Sequence, residues 1–206
     1  MRCSPLNRAL YAFNYKSVNR LGKIMSKGLL LIDIQNDYFL GGAMELEGME
    51  DAARNCARLL SYFREQELPV FHIQHIATRE GATFFIPNTF GCKIHELVEP
   101  MENEPVIVKN YPSSFRETNL NELLNSQGAD ELVICGAMTH MCIDTTTRAA
   151  FDLGYKCTVI SDGCATKSLE FDGKQVLASD VQAAYMAALS VPFAQVVSTN
   201  ALVASL

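Results

Sequence analysis

The sequence predicts an α/β fold: a mainly parallel six-stranded sheet with helices on both faces, the three-layer arrangement of Rossmann-like proteins. Three observations predict it. Short apolar runs of strand length alternate with helix-period segments six times along the chain. The connections between successive runs are too long for hairpins, so the strands need crossovers and run parallel. The runs are apolar nearly throughout rather than alternating, as in strands buried on both faces. With 206 residues, 49% of them hydrophobic, the chain suits a single domain with a continuous core.

Each element follows from its residues. LLLIDI at 29–34 reads as the first strand, with Asp33 near its C-terminal end, and the loop Gln35, Asn36, Asp37, Tyr38, Phe39, then Gly41 and Gly42, follows. Met49, Ala52, Ala53, Cys56, Leu59, Leu60 and Phe63 form one helical stripe, with Asp51, Arg54 and Arg58 on the other side. Pro69 starts a second strand, VFHIQH. Residues 76–104 show no clear period and carry Gly81, Pro87, Gly91 and the aromatics Phe84, Phe85 and Phe90. Loops of this length in compact domains are often functional lids. A third strand, PVIVK, ends at Lys109, and Thr118 can cap a short helix carrying Leu120, Leu123 and Leu124, closed by Gly128. LVIC is the fourth strand, followed by a loop over 136–141 and a helix that Cys142 opens and Gly154 closes. A fifth strand, KCTVIS, a helix over 175–189 and a sixth strand, AQVVS, complete the pattern.

Composition narrows the class. No apolar run approaches the roughly 18 residues of a membrane span, so a soluble protein is expected. Seven cysteines at irregular spacing, with no CxxC pair and an odd total, argue against a disulfide framework or zinc finger and for a reducing compartment, which we take as cytoplasmic. Residues 1–24 carry Arg2, Arg8, Lys16, Arg20 and Lys23 and no acidic residue. They read as a transit-like extension or as a start assigned too early, with translation beginning at Met25; poor order is expected in either case. The domain is then 25–206. Without those five positive charges it is more acidic than the whole chain's −6, which argues against nucleic acid as a partner.

In open parallel sheets ligands bind outside the carboxyl ends of the strands, and Asp33, Lys109 and Cys142 all fall there. A thiol beside a helix N-terminus is favoured as thiolate by the unpaired N–H groups and the helix dipole. Asp33 can accept the thiol proton and return it to a leaving amine, while Lys109 favours both anions by charge. The same residues fit plainer roles: free cysteines are usually small core residues, and Asp33 with Lys109 can simply close the sheet as a buried ion pair. Backbone N–H groups between Met138 and Cys142 can form an oxyanion hole. Gln35 and Asp37 read as steadying the Asp33 loop. In a 3-2-1-4-5-6 strand order, Lys109 would leave a strand not adjacent to that of Asp33, and its loop would have to carry it back.

LLLIDIQNDYF, VIVKNYPSSF and VICGAMTHMCIDTTTRAAFDLGY together resemble the three signature blocks of the isochorismatase-like cysteine hydrolases, a group that includes nicotinamidases, carbamoylsarcosine amidohydrolase and ureidoacrylate amidohydrolases. The resemblance runs in order from Leu29 to about Ser198. It implies Asp33 as general base, Lys109 as charge partner and Cys142 as nucleophile, with a cis peptide between Ala137 and Met138 that turns the Met138 N–H toward the oxyanion. It also implies a homo-oligomer, as relatives commonly assemble.

Departures from that pattern bear on the substrate. Nicotinamidases carry an Asp-x-His metal motif after the second strand; here that region, HIQHIATREGATFFIPNTFG, has none. His72 and His75, three apart on a strand, point to opposite faces, so neither a metal nor a cofactor is expected. His140 stands where many relatives have aspartate. Pocket candidates are Gln35, Tyr38, His75, Phe84, Phe85, Tyr111, Phe115 and His140, although aromatic residues are more often core. The sequence therefore points to a metal-free hydrolase of a small amide, ureido or carbamoyl compound acting through a thioester. The alternative is a non-catalytic or redox-sensing protein on the same scaffold, with Cys142 as a reactive thiol. No GxSxG elbow favours a serine hydrolase, and no GxGxxG follows the first strand.

Overall fold

The structure, a computed structural model, describes residues 26–205, and the expectation for residues 1–24 lies outside them. The strands are β1 (Ser26–Ile32), β2 (Val70–His75), β3 (Val106–Lys109), β4 (Ala129–Ala137), β5 (Lys156–Ala165), β6 (Leu169–Phe171), β7 (Lys174–Val176) and β8 (Gln195–Val197). The helices are α1 (Met49–Glu65), α2 (Leu120–Gln127), α3 (Asp144–Asp152), α4 (Ala178–Leu189) and α5 (Thr199–Ser205). Six strands pair in parallel in the order β3-β2-β1-β4-β5-β8, while β6 and β7 form a separate antiparallel hairpin. Among the described residues no helix is long and apolar enough to cross a membrane.

Two apolar cores cover the two faces of the sheet. Leu29 and Leu31 of β1 enter one, with the stripe of α1 and Leu202 of α5. Leu30 and Ile32 enter the other, with Leu120 and Leu124 of α2, Ala150 of α3 and Met186 and Leu189 of α4. The period of two along β1 thus divides its four apolar residues between the cores, each burial contributing about 2 kcal/mol. α1 covers the span that its apolar stripe marks. Gly128 closes α2 in the left-handed conformation, which glycine adopts without steric cost.

Four elements differ from expectation. β4 and β5 run further than LVIC and KCTVIS, because after a register shift Gly136 pairs with Cys164 and Ala137 with Ala165. Cys142 does not open a helix: Thr139–Ile143 form a wide π turn in which the Ile143 N–H donates to the Met138 carbonyl, and α3 starts only at Asp144. α4 begins at Ala178 rather than 175, because Lys174–Val176 pair with Leu169–Phe171. That hairpin and α5 had no clear sequence signal, being only three to seven residues long.

Gly136 fixes how closely β1 and β4 pack at the end that carries the functional loops. Its φ is 124°, and a Cβ there would stand 2.0 Å from the Ile32 carbonyl oxygen. Gly136→Ala should therefore destabilise by about 3 kcal/mol or more. Gly154→Ala, at φ 91° with nothing within 4 Å of the added carbon, should lose only about 1–2 kcal/mol. Urea unfolding of both variants checks this; equal losses would contradict the close approach of β4 to β1.

Candidate active site

Asp33 is the first residue beyond β1 and sits at φ 52°, a left-handed conformation that Asp tolerates better than most side chains. Its N–H donates to the Ile73 carbonyl, and its own carbonyl accepts from Gln35 N–H at 3.0 Å. This holds the turn at the strand ends. Lys109 is the last residue of β3, in register with His75 of β2. β2 therefore separates Lys109 from β1, and adjacent strands lie about 4.8 Å apart. The loop after β3 carries nothing back, contrary to the sequence reading: the lysine's own four-carbon stem crosses the end of β2.

The Lys109 Nζ stands 2.7 Å from Asp33 Oδ2, with both side chains fully buried. It also lies 3.2 Å from Cys142 Sγ, 3.1 Å from His75 Nδ1 and 3.1 Å from the Tyr111 carbonyl. Three ammonium protons thus face four acceptors. Apart from this ion pair, neither Asp33 oxygen takes a hydrogen bond from an N–H or O–H among the described residues, which leaves lone pairs for a proton in transit.

Charge sets the resting state of this group. Burial works against the Lys109 ammonium, but Asp33 and then Cys142 outweigh it, and its pKa is raised. Burial, and then the Lys109 charge, lower the His75 pKa, so the imidazole is neutral and its Nδ1 accepts from the ammonium. Burial and then Asp33 push the Cys142 thiol well up, and Lys109 only partly offsets them. This corrects the expectation of a helix-stabilised thiolate. Cys142 sits in the π turn before α3, inside apolar packing and beside a carboxylate, where desolvation outweighs the helix dipole.

Asp33, His75 and Cys142 present ligand-type atoms within 4.8 Å of one another. The Lys109 ammonium stands among them, so a divalent ion at that point would have to displace it. His72 points the other way, bonding Glu104 at 2.9 Å beside Arg64.

The remaining pocket candidates separate by position. Gln35 is fully buried and lines nothing: its amide donates to the carbonyls of His75 and Cys92 and accepts from the His75 N–H. Asp37 accepts from the Phe85 N–H at 2.6 Å and from Ala43 N–H, which pins the long loop to the first one. Tyr38, Phe84 and Phe85 form one aromatic group, with Tyr38 4.6 Å from Phe85 and His75 5.8 Å from Phe85. Burial first, then Cys142 and Asp33, raise the Tyr38 pKa, which places its phenol in the field of the cluster. The Tyr111 ring lies under the Arg116 guanidinium, and Phe115 stacks on Tyr155. His140 Nδ1 meets the Thr166 hydroxyl at 2.6 Å. Sequence reasoning missed Gln182, which accepts from the Thr139 hydroxyl and donates to the carbonyls of Ser161 and Cys164. It anchors the turn before Cys142 to α4, and nothing about a glutamine in a helix marks it in advance.

Known proteins share this architecture. The isochorismatase domain profile matches residues 27–201. The isochorismatase family protein YddQ of Bacillus subtilis is 52% identical over 177 residues, covering 86% of this chain and 98% of that protein. A maleamate amidohydrolase of Pseudomonas putida is 28% identical over 165 residues, covering 72% of this chain and 78% of its own. The crystal structure of a protein from Oleispira antarctica assigned as an isochorismatase hydrolase superposes with a TM-score of 0.84 at 50% identity, covering 87% of this chain and 96% of that one.

The histidines give this fold a pH dependence of defined sign. His72, His75, His95 and His140 all have pKa values lowered from 6.5, in each case by burial first. Below that value the unfolded chain binds protons that the folded one refuses. Stability should be complete above about pH 6.5 and fall as pH drops through the lowered values. Melting temperatures between about pH 7.5 and pH 5 check this; an unchanged or rising value on acidification would contradict it.

Proposed function

The chain belongs to the isochorismatase family of hydrolases, and we propose that it cleaves the C–N bond of a small amide, ureido or carbamoyl compound through a thioester on Cys142. The observation that carries this reading is the ammonium of Lys109, held at once 2.7 Å from Asp33 and 3.2 Å from the Cys142 sulfur at the C-terminal edge of the sheet. The name of the maleamate amidohydrolase relative supports amide chemistry in particular.

A buried thiol whose pKa is pushed up needs a base at the moment of attack, and Asp33 is the carboxylate beside it. In this reading Asp33 takes the thiol proton as the sulfur bonds to the substrate carbonyl carbon. The oxyanion is received by backbone N–H groups of the turn from Met138 to Cys142. Asp33 then gives the proton to the departing nitrogen, the C–N bond breaks, and an acyl thioester remains on Cys142. A water that Asp33 deprotonates attacks the thioester, releases the acid and restores the thiol. Lys109 stays charged throughout and balances whichever neighbour is anionic. The raised thiol pKa and the burial of Cys142 also disfavour the redox-sensor reading, which needs an exposed thiolate.

Cys142→Ser should retain the fold and lower turnover by several orders of magnitude, since Asp33 is poorly matched to a serine hydroxyl. Asp33→Asn should be as damaging and should also lower the melting temperature, because Lys109 becomes an uncompensated buried charge worth about 3–5 kcal/mol. Cys135→Ser, on a buried strand, should spare the chemical step. Ammonia release from a panel of small amides provides the readout, and near-wild-type turnover by Cys142→Ser would exclude covalent catalysis there.

The same reading extends to assembly. Leu40, Phe90, Phe171, Leu177 and Val191 are exposed and apolar, and the homo-oligomer proposed here would give such side chains an interface in which to be buried. Sedimentation at micromolar concentration should give a mass above that of the 22.8 kDa chain; a monomer would contradict it.

A further inference from the structure

β5 is irregular beside the turn that carries Cys142, and one side chain of α4 closes the irregularity. Between the pairs Ile134–Val159 and Gly136–Cys164, β4 advances two residues and β5 five, so β5 bulges over 160–163 before it rejoins β4. Ser161 lies within that bulge and Cys164 ends it. Both of their carbonyls accept from the Gln182 amide, at 2.9 and 3.2 Å. Two carbonyl neighbours fix which end of the amide is nitrogen, so the amide oxygen is the atom that accepts from the Thr139 hydroxyl at 2.6 Å.

Thr139 is fully buried and is the first residue of the π turn, directly after Met138 and three before Cys142. Its hydroxyl also lies 3.2 Å from the Ala165 carbonyl, where β5 pairs with the end of β4. His140, the next residue, meets Thr166 by hydrogen bond and the Tyr185 ring edge-on at 6.1 Å. Tyr185 follows Gln182 by three residues, on the same side of α4. On its other side the turn is met by the Lys109 ammonium at the Cys142 sulfur. The backbone from Met138 to Cys142 is thus set between the reacting cluster and α4, with Gln182 as the hub of the α4 side.

The geometry points to Gln182 as a positioning residue for the reaction at Cys142: through Thr139 it holds the N–H groups of Met138 to Cys142 where the oxyanion forms. The inference rests on the reading of Cys142 as the nucleophile. Such donors stabilise the oxyanion only when they are already aimed at it, and a displacement of about 1 Å can cost about a hundredfold in rate. Gln182 makes three hydrogen bonds to do this, one to the turn and two to the bulge that backs it. Methionine has a similar length and makes none of them.

Two reagents separate this role from a merely structural one. With p-nitrophenyl acetate, the Cys142 sulfur bonds to the carbonyl carbon, the thiol proton goes to Asp33, an oxyanion forms, and nitrophenolate leaves as the C–O bond breaks. With 2-iodoethanol, which has no carbonyl, the same sulfur displaces iodide and no oxyanion forms. Both rates are read by intact mass as the difference from Cys142→Ser. Gln182→Met and Thr139→Val should each slow acylation by about tenfold to a hundredfold and leave alkylation within about twofold. Thr139→Ser, which keeps the hydroxyl, should retain most of the acylation rate. The double variant Gln182→Met/Thr139→Val should be no slower than the slower single one, since the two residues act as one tether. If Gln182→Met does not fold, the contrast between Thr139→Val and Thr139→Ser carries the same test. Unchanged acylation in folded Gln182→Met, equal slowing of both reactions, or multiplying losses in the double variant would overturn the inference. Wild-type protein that is alkylated but not acylated at Cys142 would instead overturn the nucleophile reading, and the inference with it.

Discussion

The Asp33–Lys109 ion pair is the interaction on which the functional end of this protein depends. Either charge alone, at full burial, would cost several kcal/mol, so each requires the other in place. That requirement reaches into the fold. Lys109 comes from an edge strand and Asp33 from the middle of the sheet, so β3, β2 and β1 must end level with one another for a 2.7 Å contact to form. His75, at the end of the intervening strand, completes the bridge as a neutral acceptor for the same ammonium. The thiol is the fourth member, and its protonated resting state follows from sharing a dry site with a carboxylate.

The first loop keeps this pair aligned by using alternate residues for different tasks. Asp33 faces Lys109, Gln35 ties the end of β2 to Cys92, and Asp37 holds the backbone of Phe85. Gly91 packs so closely on the Asp37 carboxylate that a Cβ would stand 1.9 Å from it, so a glycine is needed there for the long loop to dock. Phe85, held by Asp37 at φ 55°, joins Tyr38 and Phe84 in an apolar group beside the cluster. Residues with no chemistry of their own thereby fix the aromatic surroundings of the thiol.

The fold was legible because the apolar runs are long and the helix periods clear: LLLI, VFHI and the α1 stripe each specify one element by pattern alone. The placement of Asp33, Lys109 and Cys142 at the same sheet edge followed from strand ends. What the sequence did not convey was tertiary. The wide turn at Thr139–Ile143 is tied through the Thr139 hydroxyl to Gln182 of α4, and the thiol's protonation follows from burial that no local motif encodes. The reach of Lys109 past β2 needed the strand order, and the hairpin at Leu169–Val176 is too short to show a period.

The central claim is that Cys142 rests as a thiol and yields its proton to Asp33 only when it attacks. Its most direct test is the ultraviolet thiolate absorbance of the protein, titrated between about pH 5 and pH 9, as the difference between wild type and Cys142→Ser. The account predicts no thiolate step in that difference, and predicts that Asp33→Asn moves the step downward by leaving Lys109 unopposed. A wild-type thiolate already formed below neutral pH would contradict it, since Asp33 would then have no proton to take.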